Sequence, residues 1–90
     1  MKVIVAREEF TDLTEDEVLL ALQDTDPANP IAQEVARLID GYIENFQEHA
    51  ARLGRIPDAI LRARPGCAVE AVAMRLTTET IRQTLAEHVD

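Results

Sequence analysis

Ninety residues carry seventeen carboxylates against nine basic side chains, a formal net charge of −8. The charge is lopsided: residues 1–50 hold twelve acids and three bases, a formal −9, whereas residues 51–90 hold five acids and six arginines, a formal +1. Such a field repels polyanions, so direct binding to nucleic acid or to an anionic membrane is not expected.

The length fits one domain, residues 1–90. A chain this short buries only about 60–65% of its unfolded surface, so its stability is modest without a partner. Cys67 is the single cysteine, which rules out an internal disulfide and suits a reducing compartment. No apolar run approaches the roughly 20 residues of a membrane span, and Val3 to Ala6 is too short for a signal sequence. A cytoplasmic protein is the expectation. Arginine over lysine and abundant alanine point to a GC-rich coding bias, hence a bacterial or phage origin.

Lys2-Val3-Ile4-Val5-Ala6 reads as a short strand or extended arm, because three consecutive β-branched residues favour extended backbone. A lone strand must find partners for its backbone elsewhere. Thr14-Glu15-Asp16-Glu17 fits a capping box, with Leu13 and Val18 as a hydrophobic staple. The first helix should run from Glu15 to about Gln23 and end before Pro27. Asn29-Pro30 opens a second helix, cap followed by proline at the first position. Its apolar residues recur at three- and four-residue steps from Ile31 to Leu53, and Gly54 is the stop. About 24 residues at roughly 1.5 Å each give a helix of about 36 Å. That is long for this chain, so part of its apolar stripe should seek an oligomer or a docked partner. Gly41 in mid-helix is either a tolerated glycine, a point of close approach by another helix, or a break. Ile56 to Ala63 predicts a short helix closed by Pro65-Gly66, and Ala68 to His88 the last helix. Four threonines, at 77, 78, 80 and 84, lower the propensity of that helix, so packing must hold it.

The fold class is therefore all-α: a small helical bundle of three main helices plus one short helix, with a short N-terminal strand or extended arm. The expected core is Val18, Leu19, Leu22, Val35, Leu38, Ile39, Tyr42, Phe46, Leu61, Val69, Val72, Leu76, Ile81 and Leu85.

No constellation names a reaction. Glu44 and Glu48 share a helix face, but Phe46 stands where a Glu-x-x-His motif with His49 would need its glutamate, so no metal is expected. The chain has no serine, which excludes a Ser-His-Asp hydrolase. Gly41, Gly54 and Gly66 are isolated, so no phosphate-binding loop forms and no cofactor is expected. Cys67 reads as a small buried hydrophobe.

Two charged groups remain. Glu8, Glu9, Asp12, Glu15, Asp16 and Glu17 put six carboxylates within ten residues, an acidic face suited to a basic protein surface. Arg52, Arg55, Arg62 and Arg64 could take an anion or an acidic peptide, or complement the acidic helix of the same molecule or of a symmetry mate. The resulting expectation is a noncatalytic protein-interaction module, an adaptor or inhibitor, that engages a basic partner and forms a homodimer. One form of it is a phage- or plasmid-type inhibitor that occupies a nucleic-acid-binding protein in place of phosphate. Two alternatives stand beside it. The order strand, helix, helix over residues 2–53 broadly resembles ribbon-helix-helix repressors, which implies a dimeric DNA-binding regulator with Lys2, Ile4 and Ala6 on one strand face. An enzyme would need a site between subunits built from His49, Cys67 or the carboxylates.

Overall fold

The computed structural model describes residues 4–56 and 58–87, side chains 48, 59 and 60 aside. Four α-helices lie among them: α1 (Glu15–Gln23), α2 (Pro30–Leu53), α3 (Asp58–Leu61) and α4 (Ala68–Glu87). A 3-10 turn at Glu8–Phe10 precedes α1.

The helix signals are used as their chemistry predicts. Thr14 Oγ1 accepts from the Glu17 amide at 3.2 Å, and Glu17 Oε1 accepts from the Thr14 amide at 3.2 Å. Asn29 Oδ1 accepts from the amides of Ile31 and Ala32, at 3.0 and 3.3 Å. Gly54 closes α2 in the left-handed conformation, φ 68°, which glycine adopts without a Cβ clash. The helix α2 is unbroken at Gly41, and the molecule's longest dimension, 39 Å, is close to its length. Each of the four threonines of α4 donates its hydroxyl to the carbonyl four residues back, at 2.8 to 3.0 Å. That internal bonding lets Thr77 sit fully buried.

α2 and α4 form the main packed pair. Phe46 shares a small void with Met74 and Thr77, and Ala50 lines a cleft with Ile81 further along both helices. Later residues of α2 thus meet later residues of α4, so the two run in the same direction. Leu61, Ala63 and Pro65, between the two helices in sequence, lie against α4, so the chain returns along the pair. α1 covers the first part of both helices. The core joins Val18 of α1, Val35, Leu38 and Tyr42 of α2, and Val69, Val72 and Ala73 of α4, with Ala6 added from the N-terminal segment. Leu38 is fully buried, and truncation there to alanine removes about 2–5 kcal/mol.

Two expectations are corrected. Leu19 is 41% exposed and Leu61 is 50% exposed, so neither belongs to the core. In α1 the core direction is set by Val18 and Leu22, and Leu19 lies about 100° round from Val18. The short helix occupies four residues instead of the expected two turns. Of the two N-terminal expectations, strand or extended arm, the arm is found: residues 4–7 belong to no strand among the described residues, and Arg7 is extended at φ −63°, ψ 144°; Lys2 and Val3 lie outside the described residues.

Candidate functional site: an acidic face and the carboxylates that hold the arm

The six predicted carboxylates are all exposed. Glu8 and Glu9 stand on the 3-10 turn, Asp12 on the turn after it, and Glu15, Asp16 and Glu17 on the first turn of α1. Glu15 pairs with Arg75 of α4 at 2.9 Å, and Glu17 is used in the capping box. The side chains of Glu8, Glu9, Asp12 and Asp16 have no hydrogen bond or ion pair in the described structure. Four free carboxylates therefore face solvent from one continuous, structured segment.

Arg52, Arg55, Arg62 and Arg64 are also exposed. Arg55 lies 4.0 Å from Asp58, a loose and open pair. Arg62 and Arg64 bring their guanidinium groups to no acid among the described residues. The arginine that does meet the acidic helix is Arg75, outside the predicted group.

Two carboxylates that the sequence reading passed over are buried. Glu34 of α2 is 3% exposed and Glu70 of α4 is 8% exposed. Both hold the extended arm by its backbone. The Arg7 amide donates to Glu34 Oε2 at 2.6 Å, and the Ala6 amide donates to Glu70 Oε2 at 3.1 Å. Arg37 forks onto Glu34, with Nε and Nη2 at 2.7 and 2.8 Å, and its Nη2 also donates to the Val5 carbonyl at 2.8 Å. Glu70 further accepts from the Gly66 amide at 3.1 Å and from the Cys67 thiol at 3.6 Å. No cation pairs with Glu70 among the described residues. Ile4 lies across Gly41: a Cβ there would sit 3.0 Å from three Ile4 atoms. The close approach that Gly41 serves is by the arm, not by another helix.

The electrostatics follow from these contacts. The Arg37 hydrogen bonds hold Glu34 below the usual carboxylate range, against the opposing effect of its burial. Burial, with the Glu70 charge adding to it, pushes Tyr42 up to about 12. The Tyr42 hydroxyl is buried without a hydrogen-bond partner among the described residues. Burial also raises the Cys67 thiol, which leaves little thiolate at neutral pH. His49 is exposed on α2 and makes no bond to Cys67. Among the described residues no three of His, Cys, Asp and Glu converge as metal ligation requires, and no helix is long and apolar enough to cross a membrane.

Glu34 had a readable signal. It stands three residues after Ile31 and four before Leu38, inside the apolar stripe of α2. Glu70 is similarly set between Val69 and Val72. A carboxylate on a buried stripe needs donors, and the unpaired backbone of an extended arm supplies them.

No protein-family model, no curated protein and no solved structure matches this chain.

Proposed function

We propose that the protein is a noncatalytic interaction module whose acidic face, Glu8 to Glu17, binds a basic surface on another protein. One observation carries this reading: Glu8, Glu9, Asp12 and Asp16 are exposed and unpaired among the described residues, on a segment fixed at both ends. The arm anchors its start through Glu34 and Glu70, and the capping box anchors its end. A preformed charged face speeds association and selects partners of opposite sign. Inhibition of a nucleic-acid-binding protein is one use of such a face.

The test is capture from native lysate at low salt, repeated with the triple variant E8K/E9K/D16K. These three side chains make no bonds among the described residues, so helical content should be unchanged. Partner retention should fall steeply with salt and vanish in the variant. Equal retention by the folded variant at all salt concentrations removes the proposal.

A further inference from the structure

The protein carries its own complement to the acidic helix. Beside α4 lies a cleft of about 290 Å³ with apolar walls from Leu61, Ala63, Pro65 and Met74. Arg75 and Arg82 also line it, and the exposed Arg62 and Arg64 alternate in sequence with its lining residues Leu61, Ala63 and Pro65. Two arginines thus line an apolar slot, with Glu79 the one acid of its lining, and two more adjoin that lining in sequence. Leu61 in that slot is half exposed.

The outward side of α1 has the matching pattern. Leu20 is 66% exposed, the most open large apolar side chain described. It follows Asp16 by four residues and Glu17 by three, so both carboxylates flank it on the helix surface. The Glu15–Arg75 bridge shows that this helix already contributes one carboxylate to an arginine of the cleft. It also places the two surfaces side by side in one molecule. Adjacent complementary patches on a single chain can be satisfied twice by a two-fold axis, each copy offering its leucine helix to the other's cleft.

We propose that the arginine-rimmed cleft is a docking site for α1 of a second copy, with Leu20 entering the slot and Asp12 and Asp16 meeting Arg62 and Arg64. The proposal rests on the reading of the acidic face as an arginine-binding surface and supplies a defined occupant for it. A standard interface takes about 800 Å² per partner, about an eighth of this chain's 6243 Å². The net charge of −8 opposes pairing at long range. At physiological ionic strength the Debye length is about 8 Å, so that repulsion is screened more than contacts at a few ångström.

Sedimentation equilibrium of the full chain across the micromolar range, at physiological ionic strength, tests it. The wild type should dimerise reversibly. D12K/D16K and R62E/R64E should each weaken dimerisation at least tenfold, because like charges then face each other. An equimolar mixture of the two variants should restore the dimer, since both contacts become attractive again. Leu20→Gln should weaken it without changing any charge. A wild type that stays monomeric overturns the proposal, as does a dimer indifferent to all three changes or a mixture no tighter than its components. Circular dichroism checks that each variant is folded, and Leu20→Gln serves if a charge variant is not. A wild type that captures its partner but stays monomeric rejects this inference alone; a wild-type dimer whose partner capture is unchanged in E8K/E9K/D16K rejects the functional reading alone.

Discussion

Replacing Glu70 with alanine tests whether the arm is truly fastened by a buried carboxylate. Three donors lose their acceptor: the amides of Ala6 and Gly66, and the Cys67 thiol. Hydrogen bonds to a charged group contribute about 1.5–3 kcal/mol each, and a buried donor left unsatisfied costs about 1–3 kcal/mol. Against these stands the relief of a carboxylate held in a largely dry site without a cation. The Ala6 amide is buried and loses its acceptor outright, whereas Gly66 is exposed and can turn to water. The net expectation is a loss of about 3 kcal/mol for Glu70→Ala. Glu70→Gln keeps one oxygen but not two, so it should lie about halfway. Urea unfolding followed by circular dichroism gives the stability change. Amide exchange at Ala6 and Arg7 localises it, with about a hundredfold faster opening for a loss near 3 kcal/mol. A stability change under about 0.5 kcal/mol, with Ala6 exchange unaltered, shows that the arm is held by something else.

Tyr42→Phe removes a buried hydroxyl that has no partner among the described residues, and should stabilise the fold by about 1 kcal/mol, raising Tm by roughly 4–8 °C. The wild type should also lose about 3 kcal/mol as pH rises from 10 to about 12, because the unfolded tyrosine ionises first while the folded one stays neutral. The phenylalanine variant lacks that alkaline loss; destabilisation by the substitution at neutral pH shows instead that the hydroxyl is bonded. Gly41→Ala gains about 1 kcal/mol of helix propensity but drives its Cβ against Ile4, so it should be near neutral alone and stabilising in an Ile4→Ala background. Strict additivity of the two changes in thermal unfolding contradicts the contact.

The helix boundaries were legible because each rests on chemistry within a few residues: Thr14 with Glu17, Asn29 with Pro30, Gly54 at the end of α2. The core of α2 was legible for the same reason, since its stripe is long and regular. Leu19 and Leu61 were misassigned because a nine-residue helix and a four-residue helix are too short for periodicity to fix which face turns inward. The apolar run at the N-terminus marked extended backbone correctly, but propensity does not say what an extended segment pairs with. Its partners proved to be side chains 27 and 64 residues away, and contacts at that separation leave no local trace. The acidic face was legible as composition. That Glu15 is committed to Arg75 and Glu17 to the cap, leaving Asp16 free between them, needed the structure.

The buried and exposed carboxylates divide one task between them. An acidic segment on a loose chain would bind a basic surface only after losing its conformational entropy, about 1–2 kcal/mol for each backbone residue fixed. Here the loss is taken on folding. Glu34 and Glu70 lock residues 6 and 7, the 3-10 turn begins at the next residue, and the capping box fixes the start of α1 seven residues beyond Arg7. The free carboxylates between these anchors are thus held together despite their mutual repulsion. The fixing comes from acids turned inward, where backbone amides and Arg37 satisfy them, and it leaves those turned outward available. Loosening the arm through Glu70 should therefore weaken binding at the acidic face without altering any exposed charge, which separates the geometry of that face from its net charge.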